Sequence, residues 1–164
     1  NGFISGSCLR DLLGCKKLGG LRLGGAEVNN ESLRYLQNFP CLTHLGLMNM
    51  NLSLSGLEHV SKCREISNLD IDYNHKIDDK ALPLLLKLTK MRTLSVKETK
   101  ISLIALESLG QHGVIAIGLP KPFGDYTPSE QRRIKKAFPH HIFNAKTPGT
   151  VDSYHETMFA PVTR

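Results

Sequence analysis

The sequence predicts an α/β repeat domain: a right-handed solenoid bent into a horseshoe arc, with a parallel sheet on the concave side and helices on the convex side. Three observations predict it. A short apolar pattern recurs as Leu42-Thr-His-Leu45-Gly-Leu47, Ile66-Ser-Asn-Leu69-Asp-Ile71 and Met91-Arg-Thr-Leu94-Ser-Val96, at a period of 24 to 25 residues. Each copy is followed by an apolar turn residue (Leu52, Ile77, Ile101) and then by a helix-spaced pair: Leu57 with Val60, Leu82 with Leu85, Leu106 with Leu109. A helix-capping residue stands at the same place in each repeat. Self-similarity at this period is the signature of stacked supersecondary units, each too small to bury its own apolar face.

The spacing has a physical cause. The second and third apolar residues of each pattern are two apart and share one face of a strand. The later pair, three apart, shares one face of a helix. The pattern L-x-x-L-x-L-x-x-N/C-x-L resembles that of leucine-rich repeat proteins. It is met most fully in the copy from Ile66, where Asn74 stands at the Asn/Cys position and one extra residue precedes Ile77. Ala26, Met50 and Thr99 hold the equivalent place in the other copies, so a continuous asparagine ladder is not expected. The period and helical second half are similar to the cysteine-containing and bacterial subtypes. The resemblance covers roughly residues 8 to 143.

Taken in order, residues 1–13 are expected to end a preceding repeat, with Leu9 and Leu12 at helix spacing. Leu18-Gly-Gly-Leu21-Arg-Leu23 opens the first full copy, followed by Val28, Leu33 and Leu36. Its glycines lie in no G-x-G-x-x-G or G-K-[ST] pattern, so a phosphate loop is not indicated. Asn29, Ser53, Asp78, Ser102 and Thr127 are the expected N-caps, placing helix starts near residues 30, 54, 79, 103 and 128. The second start is weak, because Gly56 falls in its first turn. Thr127-Pro128-Ser129-Glu130 has the form of a capping box with proline at the first helical position. Val114-Ile-Ala-Ile117-Gly-Leu119 predicts a fifth strand, ended by Pro120 and Pro122. Residues 120–145 read as a degenerate C-terminal capping repeat, with Phe138–Phe143 as a last strand. The repeat domain therefore spans 1–145, and 146–164 is a tail or cap extension.

Composition narrows the function. Of 164 residues, 40% are apolar and 22% charged, an ordinary globular balance. The chain opens on Asn1 in mid-pattern, which reads as a piece of a longer protein. The run of apolar residues needed to span a bilayer is absent from the sequence. The formal charge of +6 is modest and scattered, apart from Arg132-Arg133 and Lys135-Lys136 on one predicted helix that reads as a solvated face, and no aromatic-studded basic sheet is evident, so nucleic acid is not the expected partner. Cys15 and Cys63 occupy equivalent places two repeats apart, roughly 10 Å by strand spacing and beyond disulfide reach. No C-x-x-C pair frames a zinc site. Free, partly buried thiols in a cytoplasmic or other reducing compartment are expected.

Chemical constellations are weak. Asp70-x-Asp72-x-Asn74 opens like a calcium loop, but His75 and Ala81 stand where glycine and glutamate are needed. Asp70 and Asp72 flank inward-facing Ile71 and are expected to be surface carboxylates on the concave face, removable with little loss of stability. His140, His141 and His155 form a poor metal set, since adjacent strand residues point to opposite faces. No nucleophile elbow is present. No cofactor, metal or catalytic residue is expected.

The expected function is recognition of a protein partner by a monomer that is not an enzyme. By register the concave face carries Arg22 and Gly24, His44, Gly46 and Met48, Asn68, Asp70 and Asp72, and Thr93, Ser95 and Lys97, with Tyr73 and Glu98 just beyond. Arg, Tyr and Met are enriched in interface cores. The resemblance to repeats attached to F-boxes also leaves open substrate recognition in a ubiquitin ligase. A regulatory region fused to a catalytic domain such as a kinase is the other alternative.

Overall fold

Each apolar pattern builds one strand, and the strands pair in the order in which they are written. The computed structural model describes residues 8–24 and 29–141. Val28, Ile142, Phe143, His155 and the 146–164 segment lie outside them. Helix α1 (Cys8–Asp11) and a 3₁₀ turn (Leu12–Gly14) lead into β1 (Gly20–Gly24). A 3₁₀ helix (Asn30–Asn38), β2 (His44–Met48), α2 (Leu54–Val60) and β3 (Asn68–Asp70) follow. Then come a 3₁₀ turn (Asp79–Ala81), α3 (Leu82–Leu85), β4 (Thr93–Ser95), α4 (Leu103–Gln111), β5 (Ala116–Gly118), a 3₁₀ turn (Phe123–Asp125) and α5 (Pro128–Ala137).

The five strands form one parallel sheet in the order β1-β2-β3-β4-β5. Its register is the repeat itself: Leu21 pairs with Leu45, Leu45 with Leu69, Leu69 with Leu94 and Leu94 with Ile117. Single carbonyls stitch one coil to the next just before each strand. The Thr43 carbonyl accepts from the N–H groups of Ser67 and Asn68 at 2.9 and 3.0 Å, and the Ser67 carbonyl from Arg92 and Thr93 at 2.8 and 3.0 Å.

One continuous core runs between sheet and helices. Leu45, Leu47, Leu52 and Leu57 are fully buried in it, as are Ile66, Leu69, Ile71 and Ile77. Every predicted cap is made. Asn29 accepts from Glu31 N, Ser53 from Gly56 N, Asp78 from Lys80 N, Ser102 from Ala105 N and Thr127 from Glu130 N. The reciprocal capping box at Thr127 and Glu130 is complete. These contacts satisfy N–H groups that a helix cannot pair internally.

The structure corrects several details. The segment after Asn29 is a nine-residue 3₁₀ helix. Its buried residues Leu33 and Leu36 are spaced by three, the 3₁₀ period, so they eclipse on one face, and the buried Phe39 caps its end. Leu82 is only half-buried while Ala81 and Leu85 are fully enclosed. The 3₁₀ turn at Asp79–Ala81 winds more tightly than an α-turn and rotates Leu82 off the core face. Gly56 is no weakness: a Cβ there would sit 2.0 Å from Asn30 Oδ1, which accepts from Ser53 N at 2.8 Å and ties two coils together. Residues 138–141 form no strand, because the Phe138 N–H caps α5 on Ile134 O and the chain then turns. Helix α5 is fastened to α4 by the Arg133 guanidinium, which grips both oxygens of Glu107 at 2.7 Å.

Cys15 and Cys41 are exposed, contrary to the expectation of partial burial, and Cys63 is buried; all three are free. Burial pushes the Cys63 thiol up to about 11. No helix among the described residues is long and apolar enough to cross a membrane.

Candidate partner-binding face

The sheet has one face on the core and one open. Side chains alternate along each strand, so residues flanking the buried leucines lie on the open face in rows fixed by register. One row runs Gly20, His44, Asn68, Thr93, Ala116, and the next Arg22, Gly46, Asp70, Ser95, Gly118. Met48 closes β2, paired with Gly24. Lys97 lies beyond β4, where its N–H meets Asp72.

Exposure divides these residues. Arg22 is exposed, and His44, Met48, Asn68, Thr93 and Lys97 are half-buried, so their outer atoms are offered to solvent. Ser95 is 2% exposed and belongs to the floor. Tyr73 is 44% exposed, and Glu98, at the equivalent place in the next coil, is exposed too.

Asp70 and Asp72 are on the predicted face but are not surface carboxylates: both are 0% exposed. The reason lies where the strand ends. Beyond β3 the backbone N–H groups lose regular ladder partners, and short carboxylates fold back to take them. Asp70 Oδ1 accepts from Asp72 N at 3.0 Å, and Asp72 Oδ1 from Lys97 N at 2.8 Å. The Ser95 hydroxyl also donates to the Asp72 carboxylate. Burial, and after it the neighbouring charge of Asp70, raises the Asp72 carboxyl to about 6. Asn74, also fully buried, uses Oδ1 to accept from Met50 N and Leu52 N, and Nδ2 to donate to Leu47 O and Ile71 O. These three residues hold the turn together. No group of three or more His, Cys, Asp or Glu side chains that could hold a metal ion occurs among the described residues.

The turn itself is strained at one recurring position. Asn49, Tyr73 and Glu98 occupy equivalent places in successive repeats, with φ of 51, 59 and 53°. Each N–H makes the last rung to the next coil: Asn49 to Asp72 O, Tyr73 to Lys97 O, and Glu98 to Pro120 O, at 2.8 to 2.9 Å. The chain must then turn sharply, which puts the residue in the left-handed region. Asn tolerates that conformation; Tyr and Glu do so at a cost.

No protein-family profile matches the chain, and no curated protein matches it. Solved structures do resemble it. One is the tropomodulin C-terminal domain of Caenorhabditis elegans, at a TM-score of 0.58 and 16% identity, over 82% of this chain and 90% of that one. Another is leiomodin-1 actin-binding site 2, at a TM-score of 0.58 and 11% identity, over 80% of this chain and 86% of that one. At such identities the likeness speaks for the fold alone, which is leucine-rich-repeat-like.

Of the residues named from sequence for this face, Asp70, Asp72 and Ser95 are buried and form its floor rather than its contact surface. Backbone strain at Tyr73 and Glu98 was not read from the sequence. One signal was available: Gly25, Asn49, Tyr73 and Glu98 share a repeat position, and Gly and Asn are the types that favour φ above zero.

Proposed function

We propose that this chain is a non-catalytic module that binds a protein partner on the open face of its sheet. In this reading the repeats curve into a right-handed solenoid and the open face is its concave side. The observation that carries it is Tyr73. A half-exposed aromatic residue stands in a left-handed conformation at the turn that ends β3, its N–H on Lys97 O of the next coil. The left-handed conformation recurs with the turn and belongs to the repeat; what Tyr73 adds to it is an exposed aromatic ring. Aromatic and arginine side chains dominate the energetics of protein interfaces, and Arg22 stands across the same face. Leiomodin-1, with the same kind of fold, carries an actin-binding site, which makes actin the first partner to try.

The test is capture from lysate by the wild-type chain beside an Arg22→Glu, Tyr73→Ala, Lys97→Glu variant, with purified actin assayed in parallel. The variant should lose at least one protein that the wild type retains. Retention of an identical set by both chains would overturn the assignment of this face. Asp70 and Asp72 are excluded from the variant because their loss would act through the fold.

A further inference from the structure

In a parallel sheet with strands in sequence order, every helix-to-strand connection falls on the same edge. That edge carries an excess of basic side chains. Lys16 and Lys17 precede the first strand, Lys62 and Arg64 the third, and Lys87 and Arg92 the fourth, all exposed. Lys90 stands among them and is paired with Glu65 at 2.6 Å, the two at equivalent positions of adjacent coils. The opposite edge alternates in sign, with Lys76 near Asp78, Lys97 next to Glu98, and Lys121 near Asp125. Among the described residues the basic side chains thus gather in two places, this edge and helix α5 with Arg132, Arg133, Lys135 and Lys136, of which Arg133 is spent on Glu107.

We infer that this edge is a second interaction surface, separate from the open face, and that it takes an acidic segment of a protein partner in extended form. Adjacent coils lie about 4.8 Å apart, so the basic residues, which run from the first strand to the fourth, span roughly 14 Å, the length of about four extended residues. Carboxylates along such a segment would meet lysines singly.

The chemistry favours carboxylates over phosphates. Arg64 Nη1 donates to Lys87 O at 2.8 Å and Arg92 Nη1 to Gly113 O at 3.1 Å, so both guanidinium forks are partly spent on backbone. Bidentate phosphate recognition needs an open fork. None of the large exposed hydrophobics among the described residues is an aromatic ring on this edge: Tyr73 lies on the opposite one. Base stacking therefore has no platform here. Among the described residues Ile115 is the one large exposed apolar residue on this edge, too little to anchor a membrane.

The experiment is fluorescence anisotropy of a labelled oligoglutamate peptide, with an oligothymidylate of equal charge and phosphatidylserine vesicles as the other probes. The intact chain should bind the peptide more tightly than either alternative. Lys16→Glu, Lys17→Glu, Lys62→Glu, Lys87→Glu should weaken the peptide by about tenfold or more at low ionic strength. Lys135→Glu, Lys136→Glu on α5, with its thermal melt checked, should leave affinity within twofold. The inference is overturned if the peptide does not bind, if both variants lose it equally, or if the oligonucleotide or the vesicles bind more tightly. Failure here leaves the open face untouched, since none of these lysines lies on it.

Discussion

The carboxamide of Asn74 reaches back one coil and donates to Leu47 O at 2.7 Å. Through the same side chain it accepts from Met50 N and Leu52 N, so one residue serves the backbone of two repeats. It is a single rung where a longer ladder is absent, because Met50 and Thr99 fill the equivalent places.

Asn74→Ala should therefore be the most damaging polar substitution in the sheet. It strips partners from several buried backbone groups, each worth about 1 to 3 kcal/mol when left unsatisfied. A loss of at least ~3 kcal/mol in urea unfolding is expected, and a loss under ~1 kcal/mol would show that water replaces the side chain. Asn74→Asp, keeping the acceptor and losing the donor, should fall between.

Asp72 predicts a pH dependence of opposite sense to the usual carboxylate. Its carboxyl rises from an ordinary 3.8 to about 6 in the folded chain, burial being the larger cause and Asp70 the next. The folded state then holds the proton more tightly than the unfolded state. This contribution is fully present below about pH 4 and is lost as pH rises through 6, amounting to ~3 kcal/mol at most. Denaturation curves across pH 4 to 7 should lose that slope in Asp72→Asn. A wild type and variant with parallel profiles would refute the raised value.

Tyr73 and Glu98 should each be more stable as glycine. Relief of a left-handed conformation in a bulky residue is worth about 1 kcal/mol, partly offset by the greater freedom of glycine when unfolded. Tyr73→Gly and Glu98→Gly should raise the melting temperature by a few degrees, while Asn49→Gly should change it little. If Tyr73→Gly also abolishes partner capture, strain and binding reside in one residue.

Ser95 and Gly118 should show coupled energetics. A Cβ at 118 would lie 2.1 Å from Ser95 Oγ and 3.2 Å from Ser95 Cα, so Gly118→Ala must displace the serine that donates to Asp72. A loss of about 1 to 3 kcal/mol is expected for the single change. Ser95→Gly with Gly118→Ala should cost less than the two changes added. Strict additivity in that cycle would mean the serine does not fill the space over residue 118.

Much of the architecture was legible in single residues. Leu45, Leu69 and Leu94 announce the register, because a strand period of two allows only one face to meet a core. Asn29, Ser53, Asp78, Ser102 and Thr127 announce the helix starts, because capping is chemistry within three residues of the cap. The face of each candidate residue was equally readable. Its depth was not. Asp70 and Asp72 were placed on the correct side of the sheet and at the wrong exposure, since burial depends on Gly46, Ser95 and Lys97 in neighbouring coils. Leu82 failed for a related reason, as one 3₁₀ turn before it shifts the helix face.

The sequence by itself determined the repeat, the strand order, the core face and the helix caps, all of which follow from spacing and local hydrogen bonding. Only the tertiary structure decided that two aspartates are buried, that Tyr73 is strained and half-exposed at the rim, and that the lysines share one edge. Those facts arise between coils. Residues some 24 positions apart come within hydrogen-bonding distance, and no local pattern in the chain records what each of them will meet.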